Sequence, residues 1–169
     1  MSKYAQGTHA RMIEVALAEV GYAEGPKDNE TKYGAFTKRN FLPWCGSFLM
    51  WVAKESGVHV PDCVSTKDGA ASFKSSNHFH TEPKIGDFVF FDFIDDNKTV
   101  INHIGLVIRV SDKAIVTVEG NTSGGAKDRT GGQVMLKTRA LGKSSFIVGY
   151  GRPVYKSPTL NEEKNEPTN

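Results

Sequence analysis

The sequence is short of the features that usually decide a protein's class. It has two cysteines in 169 residues, Cys45 and Cys63, too few for a disulfide framework that a chain of this length would not need. They read as separate thiols. Charge of one sign is also missing: 21 Lys+Arg stand against 19 Asp+Glu, a formal charge of +2, which argues against nucleic acid as a partner. The opening MSKYAQGTHARM has no apolar stretch of the kind a secretory signal carries. No apolar run approaches the roughly 20 residues of a membrane span. No internal repeat is present. The expectation is therefore a monomer made in a cytoplasm, without a membrane partner and with one folded domain. At this length a substantial core can be buried without staples.

What is there falls into two halves. Thr8 is an N-cap candidate, and HARMIEVALAEV follows with Met12, Ile13, Ala16, Leu17 and Val20 on one stripe before Gly21. A loop rich in Gly, Pro, Asp and Asn comes next, with room for a short helix over 31–38. A second long helix starts near Trp44 and stops at Gly57, with Cys45, Phe48, Leu49 and Val52 at helical spacing. Residues 58–82 are loop-like, with a short helix near 66–73. After Pro83 the period becomes extended. Five segments rich in Val, Ile and Phe (GDFVFFDFI, HIGLVIRV, AIVTVEGN, GQVMLKTRAL and FIVGYGRPVY) are parted by turn residues. Such short spacings suit antiparallel neighbours. Helices first and strands second is the α+β arrangement. Residues 156–169 have almost no apolar content and are expected to be a disordered tail behind a domain spanning 1–155.

Three residues have chemistry to offer. Cys45 falls at the start of a predicted helix, where unpaired N–H groups and the helix dipole favour a thiolate. Position alone leaves it equally open to being a small buried hydrophobe. His103 opens the strand HIGLVIRV, from where an imidazole can reach a helix tip packed on the sheet and take the thiol proton. The other four histidines are worse placed: His9 in the first helical turn, His59 beyond the second long helix, and the pair His78 and His80 without an obvious third metal ligand. Glu119 and Asn121 end the strand AIVTVEGN, and strand alternation puts both on one face. A carboxylate or amide there would fix the tautomer of a neighbouring base, although a capped strand end reads the same way.

Pro43-Trp44-Cys45-Gly46-Ser47-Phe48, Gly86-Asp87-Phe88-Val89-Phe90-Phe91, Asn102-His103-Ile104-Gly105-Leu106-Val107 and Val118-Glu119-Gly120-Asn121-Thr122 follow one another in order. Gly25-Pro26 with Asn29, Thr31, Lys32, Tyr33 and Gly34 lies upstream, and the segment from Ile147 to Pro153 closes the set. This ordered set resembles the CHAP family of cysteine, histidine-dependent amidohydrolases and peptidases, and within it the bacteriophage endolysins.

The resemblance implies a papain-like, NlpC/P60-like α+β fold, with N-terminal helices packed on a five- to six-stranded antiparallel sheet. It implies peptidoglycan as substrate, cut as an N-acetylmuramoyl-L-alanine amidase or as a stem or cross-bridge endopeptidase would cut it. Carried over by position, Cys45 is nucleophile, His103 base and Glu119 the group that orients His103, with Asn121 supporting by hydrogen bonding. The Cys45 N–H is a candidate oxyanion donor. Residues 22–41 and 65–81 would wall the groove, and Tyr33, Trp44 and Phe79 are candidates to line it. Gly46 stands where the motif often has Ala, a change expected to relax packing. Some relatives bind calcium near the cysteine. Here Asp28 and Glu30 have no acid in the helix's first turn to join them, since Ser47 occupies it, so no required metal and no cofactor are expected. A wall-degrading protein of this kind would be made in a host bacterial cytoplasm and reach the wall through a holin-type pore. Two other readings share these residues: an interbacterial amidase toxin, and a non-catalytic wall-binding or virion module.

Overall fold

The computed structural model describes residues 2–125 and 131–157. Among these residues the helices are α1 (His9–Ala18), α2 (Lys32–Thr37), α3 (Cys45–Ser56) and α4 (Thr66–Ser75). The strands are β1 (Phe79–His80), β2 (Phe88–Phe91), β3 (His103–Val110), β4 (Ala114–Thr122), β5 (Gln133–Ala140) and β6 (Ile147–Gly151). Helices thus precede strands, as the change of period requires.

Three helices begin on a hydroxyl cap. Thr8 accepts from the Arg11 N–H, Thr31 from Gly34 and Ser65 from Asp68, so each satisfies a donor that the first turn leaves orphaned. The fourth, α3, has Trp44 at its N-cap and no side-chain cap bond. It ends where expected, at Gly57 in the left-handed region. The α1 stripe differs from its expectation. The helix stops at Ala18, its buried residues are Met12, Val15 and Ala16, and Leu17 and Val20 are exposed. The cause is the sheet: the Gly21 N–H donates to the Val134 carbonyl and the Val134 N–H to Tyr22, which draws the chain out of the helix alongside β5.

The strands form one sheet in the order β1-β6-β2-β3-β4-β5, every pair antiparallel. β2 to β5 follow as a meander, β6 returns beside β2, and the two-residue β1, in a segment expected to be loop, pairs with β6. The inner face carries Phe88, Phe90, Ile104, Leu106 and Val118 against Phe48, Leu49 and Val52 of α3. The outer face carries Val89, Phe91, Val107, Ile115 and Tyr150, with Phe93 over them. All four residues of β2 are therefore buried, and each such phenylalanine contributes about 1.5–3 kcal/mol by leaving water. Gly120 sets how near α3 lies to β4: a Cβ there would sit 2.8 Å from Cβ of Phe48.

Tyr155 donates to the Gly86 carbonyl and the Lys156 N–H to Gly7, tying the chain end to the start of α1. Most of the expected tail, residues 158–169, lies outside the described residues. No helix among the described residues is long and apolar enough to cross a membrane.

Candidate active site

Cys45 is the first residue of α3, and both cysteines are free thiols. With no side-chain cap and no acidic residue in the first turn, the backbone N–H groups around Cys45 have no anionic side chain to satisfy them. They favour negative charge on the sulfur or on an oxygen brought to it. Behind this turn, the Cys63 carbonyl packs where a side chain on residue 46 would be. A Cβ on Gly46 would lie 2.0 Å from that oxygen. The expectation that Gly46 relaxes packing is thus corrected: glycine allows a closer approach than alanine would. Burial pushes the Cys63 thiol up to about 12, with Asp62 and Cys45 adding to it.

His103 enters β3 from a loop closed on itself. The Asn102 amide oxygen accepts from Phe93 at 3.1 Å, its Nδ2 donates to Asp92 Oδ1 at 3.1 Å, and its backbone N–H bonds the Phe91 carbonyl. This fixes the strand's first residue. The imidazole is fully buried, with Phe91 and Phe93 rings at 5.8 and 5.4 Å. Its Nε2 donates to Glu119 Oε1 at 2.7 Å. Nδ1 is buried without a hydrogen-bond partner among the described residues, and the Cys45 thiol interacts with the ring. Burial alone would lower the His103 pKa. The Cys45 thiol beside the ring and the hydrogen bond to Glu119 outweigh it and carry the group up to about 9.

Glu119 lies across β3 to reach that ring. Gly105 makes the space: a Cβ there would be 2.7 Å from Glu119 Cγ. The carboxylate has no exposed surface. Burial pushes its pKa up. The Arg139 hydrogen bonds and then His103 pull it down further, to about 2. Arg139 Nε donates to Oε2 at 2.8 Å and Nη2 to Oε1 at 2.6 Å, and the Thr117 hydroxyl donates to Oε2 at 2.5 Å. Nothing in the linear sequence marks Arg139 or Thr117 as partners of Glu119. Arg139 sits on an edge strand of mixed polarity whose alternation marks it as ordinary surface. Only the sheet register, which sets Arg139 opposite Ile115 and on the same face as Thr117 and Glu119, exposes the contact.

The structure therefore brings Cys45, His103 and Glu119 together. No hydrogen bond joins Asn121 to the ring among the described residues. The β4 ladder shifts between Glu119 and Thr122, and Asn121 adopts φ 56°, so alternation stops at Glu119. The Asn121 Oδ1 accepts from Gly132 at 3.3 Å, and its buried Nδ2 has no partner among the described residues.

Two of the three groove-lining candidates, Tyr33 and Trp44, lie in the core. Tyr33 and Trp44 have no exposed surface and stack on each other at 5.5 Å, with Tyr33 hydrogen-bonded to Glu19 and the Trp44 indole N–H to Glu24 at 2.6 Å. They are core residues bracing the start of α3, because a large ring finds more apolar contact there than at a wall. Phe79 is half-buried on β1, three strands from β3, against Phe90 at 6.0 Å. Among the described residues no three His, Cys, Asp or Glu side chains are grouped to hold a metal.

The chain's likenesses agree with the fold. The model of the CHAP domain matches residues 37–121, a span that holds Cys45, His103, Glu119 and Asn121 and stops short of Arg139. Among solved structures, the chain is similar to a protein described as similar to lipoprotein, of the NLP/P60 family, from Staphylococcus aureus subsp. aureus Mu50. The TM-score is 0.50 at 13% identity, over 92% of this chain and 44% of that one. The likeness is one of fold, the papain-like α+β arrangement, and this chain spans less than half of that neighbour's length. No curated protein matches the chain significantly.

Proposed function

This chain belongs to the CHAP domain family, and on that premise we propose that it hydrolyses an amide bond of bacterial peptidoglycan with Cys45 as nucleophile, in the manner of a phage endolysin. The observation that carries the reading is the buried row of thiol, imidazole and carboxylate, with the sulfur at an uncapped helix tip.

His103 takes the Cys45 proton on Nδ1, and the thiolate attacks a carbonyl carbon of the peptide stem. A carbon–sulfur bond forms and the carbonyl oxygen becomes an oxyanion, to which the Cys45 N–H is directed. The tetrahedral intermediate collapses, the carbon–nitrogen bond breaks, and the imidazolium returns its proton to the leaving amine. Water then adds to the thioester with His103 as base and releases the carboxylic acid and the free thiol. Glu119 holds the ring through Nε2 in the tautomer this requires and steadies the imidazolium. Asn121 pins the strand end that carries Glu119. The enzyme would meet the wall after release from the cytoplasm through a holin-type pore.

Digestion of purified sacculi tests this, with the new termini identified by mass spectrometry. A free lactyl group on muramic acid with a new N-terminal alanine means an amidase; new termini within the stem or cross-bridge mean an endopeptidase. Cys45→Ala is expected to lose activity by at least about a thousandfold while keeping the wild-type circular dichroism. Sacculi cleared by that variant would end the proposal.

A further inference from the structure

The site contains one charged group that neither the family match nor the proposed steps use. Arg139 lies on β5, outside the matched span, and is almost wholly buried. Its fork meets both oxygens of Glu119. Its guanidinium lies over the Phe91 and Phe93 rings at 5.1 and 4.9 Å, and the same two rings flank His103. A groove of about 470 Å³ on the outer sheet face is lined by Arg139 with Phe91, Phe93 and Phe146, so the arginine stands between that groove and the carboxylate.

A surface arginine would gain little from such an arrangement, and a fully buried carboxylate stays charged only when it is paired or well supplied with hydrogen-bond donors. The fork also fixes the carboxylate plane, because two parallel N–H bonds leave it no rotation. We propose that Arg139 is a positioning residue for the reaction: it holds Glu119 ionised and in the plane that presents Oε1 to His103 Nε2, and so sets how far into acid the Cys45–His103 pair stays reactive. This rests on the reading of Cys45 and His103 as the reacting pair.

The groups that meet at the ring and the carboxylate come from four elements. Cys45 from α3 and Glu119 from β4 face the ring, and His103 from β3 and Arg139 from β5 face the carboxylate. Loss of the arginine removes the cation from Glu119, whose protonation then moves to higher pH. A neutral Glu119 supports the imidazolium less, so less thiolate forms at acid pH.

The test reads thiol chemistry and needs no wall substrate. The rate of Cys45 alkylation by iodoacetamide is followed against pH in the wild-type chain and in Arg139→Gln and Arg139→Lys. The acid limb is expected to move up by about one pH unit in Arg139→Gln, a roughly tenfold loss of rate at a fixed acid pH. Arg139→Lys keeps the charge and loses the fork, so its limb should return to within about half a unit while its plateau rate stays several-fold low. A role in stability alone would lower the melting temperature of both variants and leave the limb where it was, which overturns the proposal. If Arg139→Gln does not fold, Arg139→Lys decides: a wild-type plateau rate overturns the fork's role and a reduced one supports it. Intact sacculi alongside the expected alkylation profiles would sink the peptidoglycan reading and leave Arg139's role standing.

Discussion

Two buried carboxylates in this protein are each gripped by an arginine fork, and they serve different ends. Asp87, at the start of β2, takes Arg152 Nε and Nη2 at 2.8 Å each, and its remaining acceptor capacity goes to the Lys84 backbone N–H at 2.8 Å. Glu119 takes Arg139 in the same manner, but its other neighbours are a hydroxyl and an imidazole. A backbone amide does not titrate near neutrality; an imidazole does. The first pair latches the chain end beyond β6 to the turn before β2. The second connects a fixed charge to a group that changes charge. Buried arginine–carboxylate geometry therefore says little about function until the third partner is known.

The widest separation between the two regions should come from removing each carboxylate's charge. Glu119→Gln is expected to lower kcat/KM on sacculi by about 10²–10⁴, because the ring loses its orienting anion. Asp87→Asn should cost about 1–3 kcal/mol in a denaturant melt and leave kcat/KM of the folded protein within a few-fold. Equal loss of activity in both would erase the distinction.

The pH dependence of stability separates them next. His103 has a folded pKa of about 9, above its ordinary value, so its pairing stabilises fully below about 6.5 and that stability fades as pH rises through 9. Glu119 has a folded pKa of about 2, below its ordinary value, so its contribution is present above about 4.5 and is lost as pH falls toward 2. The melting temperature of the wild type should fall on both sides of that window. Glu119→Gln should flatten both slopes, and Asp87→Asn should leave the His103 and Glu119 slopes in place.

A smaller effect belongs to the helix tip. Gly46→Ala places a Cβ against the Cys63 carbonyl and should destabilise by about 1–3 kcal/mol, with activity falling because Cys45 shifts relative to the ring. A stable, fully active Gly46→Ala would show that the tip tolerates movement. Smallest of all, Thr117→Val removes one donor from Glu119 and should cost about 0.5–1.5 kcal/mol with a few-fold loss of kcat, measured by the same melts and digests.

Reading the chain without coordinates succeeded where an element announces itself locally. Thr8 and Gly57 act at the helix ends where their types place them. His103 opens β3 as its position after the polar loop implies. The reading went astray wherever a distant partner decides the outcome. Leu17 and Val20 fit the α1 stripe but face solvent, since β5 draws the chain away after Ala18. Tyr33 and Trp44 were assigned to a groove and belong to the core. Strand alternation also lapses at Asn121, where the ladder shifts and the side chain accepts from the Gly132 N–H.

The sequence by itself determined the order of helices and strands, the caps, the chemistry of a thiol at a helix start and an imidazole at a strand start, and a family resemblance resting on ordered motifs. These depend on residue type and near neighbours, which a linear chain displays. The tertiary structure alone decided that β6 returns beside β2, that a carbonyl of Cys63 occupies the space beside Gly46, and that Arg139 reaches Glu119 on the neighbouring strand. Each joins residues far apart in the chain through packing and register, and a charge becomes a buried partner only once folding has removed the water around it.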